Sequence, residues 1–179
     1  MPSGAFYYCS ALSSIAFLSS SFTGLTSIPD TAFYYCSGIT TNLSSLPARI
    51  KTIGSSAFRY CTGLTGIQDL RNTGLTSFYN TYIFANCTGV KEFKLPSNIG
   101  VMAGNYLFSQ DTGLSALEIP SSLTAIPSYM AYSCSGLRNI TIPSNVKSIG
   151  TYSFRGCTNI SSVIYETTAL TAIGAYAFY

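Results

Sequence analysis

At 179 residues the chain has room for one or two ordinary domains, and 47% apolar residues supply ample material for a core. Only 8% of residues are charged, the net charge is +3, and the nine basic residues form no run, which argues against a nucleic-acid partner. Histidine and tryptophan are absent. A nucleophile would therefore need Lys, Glu or Asp as its base, and no Gly-x-Ser-x-Gly turn, phosphate loop or dinucleotide fingerprint occurs. The chain is read as a non-enzyme, with no catalytic residue, metal site or cofactor.

The N-terminal stretch carries no charge before Asp30 but lacks the basic n-region of a signal peptide. No stretch long enough to cross a bilayer is free of Ser, Thr or Asn, so no membrane-inserted segment is expected. Phe6, Leu12, Ile15 and Phe17 instead open a repeat. The pattern Phe-x-x-Cys-[Ser/Thr]-x-[Leu/Ile/Val] recurs at Phe6, Phe33, Phe58, Phe84, Phe108, Ala131, Phe154 and Phe178, a near-constant interval from one copy to the next. Its cysteine slot holds Cys9, Cys36, Cys61, Cys87, Asp111, Cys134 and Cys157, which accounts for all six cysteines. A period in this range denotes stacked coils, each burying its apolar edge against its neighbours.

Within a coil the elements follow in fixed order. Segments such as Val90-x-x-Phe93-x-Leu95-Pro96, Leu114-x-x-Leu117-x-Ile119-Pro120 and Leu137-x-x-Ile140-x-Ile142-Pro143 read as short strands closed by proline. A second apolar pair follows: Leu25/Ile28, Ile50/Ile53, Leu75/Phe78, Ile99/Met102, Leu123/Ile126, Val146/Ile149 and Leu170/Ile173. The Ala-Phe-x-x-Cys segment then reads as a tight return, either a short turn or a one-turn helix. Ser or Thr follows the cysteine slot in all seven copies, where a hydroxyl is expected to satisfy freed backbone groups. Gly38, Gly63, Gly89, Gly113 and Gly136 come next, read as left-handed positions. Length variation is confined to the segment before the second pair, and the first three coils are stretched.

Taken together, Phe-x-x-Cys-[Ser/Thr]-Gly-Leu-x-x-Ile-x-[Leu/Ile]-Pro-x-x-[Leu/Val]-x-x-Ile-Gly resembles the leucine-rich repeat of the BspA type, found in bacterial and protist surface proteins. The resemblance covers essentially the whole chain, residues 1–179, as a single solenoid domain. Asp111 in a cysteine slot and Ala131 in a phenylalanine slot depart from it. The fold it implies is a repeat solenoid, a β-rich right-handed superhelix of about seven coils, each of roughly 23–27 residues. A parallel sheet would line one face and short turns or one-turn helices the other.

Four groups of residues stand out. The outward strand positions hold the scarce charges, Lys91, Glu92, Lys94, Glu118 and Arg138, with Thr141 and with Gln68 nearby; such a rigid face suits a protein partner. Tyr82, Tyr106, Tyr129, Tyr152 and Tyr176 lie two residues before the phenylalanine slot in five consecutive coils. They form either a glycan-binding stripe or a half-buried aromatic row with wet hydroxyls. The cysteines, stacked at about the inter-strand spacing of 4.8 Å, are expected as free core thiols rather than bridges or metal ligands. Asp111 in that row implies a coil open to water or a carboxylate capping a turn. Asn42, Asn86, Asn139 and Asn159 sit in glycosylation sequons.

Neither end carries a polar cap, so a fragment of a longer array is expected, with end-to-end self-association. The function anticipated is a secreted or cell-surface binding module that holds a host or neighbouring-cell protein through the charged strand face. The alternatives are glycan binding along the tyrosines and a passive spacer.

Overall fold

The computed structural model describes residues 1–166 and 168–179. They wind as a parallel β-solenoid of about six turns with little helix. Two rows of short strands run along it, both parallel throughout. The first row comprises β3 (Gly66–Asp69), β5 (Val90–Lys94) and β7 (Ala116–Glu118) in one ladder, and β9 (Asn139–Ile142) with β11 (Ser162–Tyr165) in the next. The second row is built by the second apolar pairs. It contains β1 (Ser27–Ile28) with β2 (Thr52–Ile53), β4 (Ser77–Phe78) with β6 (Val101–Met102), and β8 (Ala125–Ile126), β10 (Ser148–Ile149) and β12 (Ala172–Ile173) together. The expected sheet is therefore present, and a second, narrower one accompanies it. In the stretched first two coils the first row is replaced by α1 (Phe17–Ser20) and a 3-10 turn, Leu43–Ser45. Arg49 fastens α1 by donating from Nη2 to the carbonyls of Leu18 and Phe22.

The core is a set of columns, because one slot per coil repeats one side chain. Phe6, Phe33, Phe58, Phe84 and Phe108 stack with centroids 5.4, 5.2, 6.0 and 5.8 Å apart. Ala131 interrupts the column, which resumes at Phe154 and Phe178, 5.2 Å apart. Full burial of each such ring stabilises by about 2–3 kcal/mol.

The return segment takes the short-turn form of the two that were expected. It is not helical. Two positions in each coil, two residues before and two after the phenylalanine slot, adopt the left-handed region, as in Tyr82 (φ 57°) and Asn86 (φ 63°), or Tyr106 (φ 58°) and Gln110 (φ 62°). The reason is lateral hydrogen bonding. With these dihedrals the N–H groups of Tyr82, Phe84 and Asn86 reach the carbonyls of Asn105, Leu107 and Ser109 in the next coil at 3.1, 3.0 and 2.9 Å. A helical turn would direct those groups along its own axis. The return thus forms a third inter-coil ladder, and its bonds offset the roughly 1–2 kcal/mol cost of each left-handed non-glycine residue.

The glycines after the cysteine slot are not the left-handed ones. Gly38, Gly63, Gly89, Gly113 and Gly136 have no positive φ. A Cβ at Gly113 would overlap the carbonyl oxygen of Thr88, and one at Gly136 that of Thr112. Glycine is required there because adjacent coils approach at backbone distance. The Ser and Thr hydroxyls just before them make no hydrogen bond among the described residues, and most are exposed to water.

Candidate functional site

The strand face is built by register. Asp69, Lys94 and Glu118 are Cα partners in consecutive strands, as are Ile67, Glu92 and Ala116. Lys91, Ser115, Arg138 and Ser161 form a third row, in which the N–H of Ser115, Arg138 and Ser161 donates to the carbonyl one coil back. Lys91 and Arg138 are thus two coils apart, about 9.6 Å at the usual strand spacing. Thr141 lies beside Ile164, its partner in β11. Glu92, Lys94 and Glu118 are brought together, while Lys91 and Arg138 stand exposed along one edge.

Two charged residues that sequence reasoning missed, Asp69 and Arg71, complete the surface. Arg71 pairs with Asp69 at 2.6 Å and Lys94 with Glu92 at 3.5 Å. The Arg71 guanidinium, hydrogen-bonded to Asp69, holds that carboxyl down to about 2. The face is a lattice of alternating charge, with four cations (Arg71, Lys91, Lys94, Arg138) to three carboxylates (Asp69, Glu92, Glu118). At its far edge a cleft of about 350 Å³ is walled by Leu95, Ile119, Pro120 and Pro143, with Glu118 and Glu166 at its rim. Ile67 and Ile164 are exposed on the same face and were also missed.

Gln68 does not belong to this surface. It is buried, accepting from the Leu43 N–H at 2.9 Å and donating to the Thr65 carbonyl at 2.8 Å. The cause is a bulge at Gly66 (φ 64°), which turns Ile67 outward and puts Gln68 opposite Phe93 in the core. The signal was in the spacing: Leu64 to Leu70 is one residue longer than Val90 to Leu95 or Leu114 to Ile119.

The tyrosine row is a stacked column. Tyr82, Tyr106, Tyr129, Tyr152 and Tyr176 have centroids 4.7, 4.3, 5.0 and 5.4 Å apart. Each stacked pair stabilises by about 0.5–1.5 kcal/mol beyond its area. In the N-terminal coils the aromatic residue occupies the other left-handed slot, where Tyr8 stacks on Tyr35 at 4.7 Å and Tyr60 meets Tyr35 tilted, at 5.4 Å. Arg59 joins the two halves: its guanidinium lies 5.0 Å from the Tyr60 ring and 4.5 Å from that of Tyr82. Burial, then the neighbouring phenols of Tyr129 and Tyr82, raise the Tyr106 hydroxyl above its ordinary value.

All six cysteines are free thiols; five are buried and Cys9 is exposed. The buried thiols do more than fill space. Cys36, Cys61, Cys87, Cys134 and Cys157 donate to the carbonyls of Phe6, Phe33, Phe58, Phe108 and Ala131, at 2.8 to 3.1 Å. Burial pushes Cys36 up to about 11 and Cys157 to about 12. Asp111 is fully buried, so the open-coil alternative fails; its carboxylate receives the Cys87 N–H of the preceding coil. Among the described residues no three His, Cys, Asp or Glu side chains converge on a metal position, and no helix is long and apolar enough to cross a membrane. Two sequon amides are engaged: Asn42 Nδ2 donates to Ile67 O at 2.6 Å and Asn86 Nδ2 to Gln110 Oε1 at 2.9 Å.

The model of the BspA type leucine rich repeat region matches residues 1–100 and 76–179 in six copies. Among solved structures, a leucine-rich repeat protein from Bacteroides ovatus superposes with a TM-score of 0.80 at 24% identity, covering 96% of this chain. This chain spans 42% of that protein's length. The Treponema pallidum leucine-rich repeat protein gives 0.71 at 25% identity, over 84% of this chain and 67% of that one. A leucine-rich cell surface protein from Faecalibacterium prausnitzii gives 0.51 at 19%, over 93% and 63% respectively. No functionally curated protein matches the chain.

Proposed function

The chain belongs to the BspA-type leucine-rich repeat family, and from that premise we propose that it is a non-enzymatic binding module of a cell-surface or secreted protein. Its ligand is a protein, held on the strand face. The carrying observation is the lattice of charge on β3, β5 and β7, where Asp69, Lys94 and Glu118 stand in register beside Glu92 and Arg71. Backbone ladders hold these groups at fixed spacing, so a partner meets a preorganised pattern and little ordering entropy opposes binding. Lys91 and Arg138 at the open edge carry no ion pair among the described residues and are the groups a partner's carboxylates would meet. Exposed Ile67 and Ile164 add apolar contact to the same face.

The tyrosine column favours this reading over a glycan stripe. Sugars stack on open ring faces, and here each inner ring presents its faces to the next tyrosine. Only ring edges and hydroxyls are left for a glycan.

The test is a solid-phase binding screen of the purified chain against extracellular-matrix proteins and a glycan panel. A Lys91/Lys94/Glu118/Arg138→Ala variant, shown by circular dichroism to be folded, runs in parallel. Saturable protein binding that disappears in the variant supports the proposal. Glycan binding insensitive to the variant transfers the function to the tyrosine edge, and no binding at all leaves a spacer.

A further inference from the structure

We infer that Tyr106 and Tyr129 form an oxidative cross-linking site, at which a one-electron oxidant joins the two rings as dityrosine and staples adjacent coils together. The oxidant class is a peroxidase with hydrogen peroxide, or a photogenerated ruthenium(III) complex.

The geometry carries this. Among the tyrosines of the column this pair is the closest, with centroids 4.3 Å apart and planes 23° from parallel. Both residues occupy the same left-handed slot, at φ 58° and 57°, in consecutive coils, so the two rings leave the backbone from equivalent positions and stack face to face. Lateral hydrogen bonds fix that backbone, Tyr129 N–H reaching Thr151 O at 3.0 Å. The reacting rings are therefore held close without a search, the condition under which an intramolecular step outruns a bimolecular one. Both rings are only half-buried, so a small oxidant reaches their edges.

The chemistry balances. Each phenol gives one electron to the oxidant and its hydroxyl proton to water, leaving a phenoxyl radical. Spin in a phenoxyl resides on oxygen and on the ortho and para carbons, and the para carbon carries Cβ. The two radicals pair to form one carbon–carbon bond between ortho carbons. The hydrogen on each joined carbon then moves to its ring oxygen, restoring two phenols. Two electrons and two protons leave in total, and the product is two hydrogens lighter. A radical first formed elsewhere reaches the pair through the stack, since Tyr82 lies 4.7 Å from Tyr106 and Tyr152 lies 5.0 Å from Tyr129.

Asp111 lies between the two tyrosines in the chain and provides the readout. The dilute protein is oxidised with the ruthenium complex and persulfate under light, then cut before aspartate by a specific protease after denaturation. The expected result is blue dityrosine fluorescence in the monomer band, with the fragments on either side of Asp111 still joined. The bridge is lost in Tyr129→Phe and in Tyr106→Phe, both of which keep the ring for stacking, and is retained in Tyr132→Phe. Dityrosine found only in covalent dimers, or undiminished in both phenylalanine variants, overturns the inference. So does its absence from a protein whose other tyrosines have been oxidised.

Discussion

Asp111 Oδ1 accepts a hydrogen bond from the backbone N–H of Cys87 at 2.7 Å, placing a carboxyl group in a row otherwise made of thiols. Its Oδ2 has no partner among the described residues, and the side chain is wholly buried. Burial pushes the carboxyl well above the ordinary 3.8. A raised folded value means that folding takes up a proton. The stabilising contribution is complete below about pH 3.8 and is lost as pH rises toward the folded value. Within that window each pH unit removes about 1.4 kcal/mol. Asp69 acts in the opposite sense only below its unfolded value of 3.8, since its folded value is about 2. The thiols, whose folded values are raised, weaken the fold only as the unfolded chain ionises near 9. The window from about pH 5 to about pH 8 therefore isolates Asp111. Urea midpoints should fall across it, and Asp111→Asn, which keeps the acceptor and cannot ionise, should flatten the profile. Parallel profiles for the two proteins would refute the assignment.

The glycine that follows each cysteine slot yields a second expectation. A Cβ at Gly113 meets the Thr88 carbonyl, whereas one at Gly24 meets nothing within 4 Å, and neither residue has a positive φ. Gly113→Ala should therefore destabilise by at least about 2 kcal/mol, through the overpacking that separates two coils. Gly24→Ala should stay within about 0.5 kcal/mol. Thermal melts of the two variants distinguish close approach from backbone freedom; equal effects would mean that the coils are less tightly apposed than the geometry requires.

Most of the architecture was legible because a solenoid writes its contacts into its period. Phe33 and Phe58 touch because they fill the same slot in consecutive coils, one period apart in the chain. The Leu/Ile pairs announced the second row of strands as a register marker, though not as a sheet. Dihedrals were harder to read. A slot shared by Thr31, Ser56 and Tyr82 gives no sign of being left-handed, because these are not the residues that ordinarily adopt that region. The strand face was half legible. Lys91, Lys94 and Glu118 stood out by charge, but Asp69 and Arg71 were hidden by the extra residue at Gly66, which shifts that coil's register. The tyrosine column looked broken because its aromatic residue changes slots between Tyr60 and Tyr82. Only the reach of Arg59 shows that the column continues.

Thiol reactivity should follow the stack. With five thiols buried and hydrogen-bonded to carbonyls one coil back, a thiol-specific reagent should label Cys9 alone in the folded protein and all six in denaturant. Cys61→Ala removes the donor to Phe33 O and leaves a small void. It should lower stability by about 1–3 kcal/mol without disturbing Cys9 labelling. Labelling of several cysteines at comparable rates in the folded state would show that the coils open independently.

The splice at Arg59 makes the last expectation. Its guanidinium spans Tyr60 and Tyr82, while Nη2 lies 3.5 Å from the Tyr60 hydroxyl. Two cation–π contacts at a half-buried site are worth about 1–2 kcal/mol together. Arg59→Lys retains the charge but loses the planar face that lies between the rings, so it should recover little of that. Arg59→Tyr supplies a ring instead and should restore the stacking. Near-ultraviolet circular dichroism, free of tryptophan in this chain, reads the tyrosine environment directly. The expected order of signal and stability is wild type, then Arg59→Tyr, then Arg59→Lys, with Arg59→Ala lowest. If lysine matches arginine, charge alone holds the junction and the two tyrosine rows are separate structures.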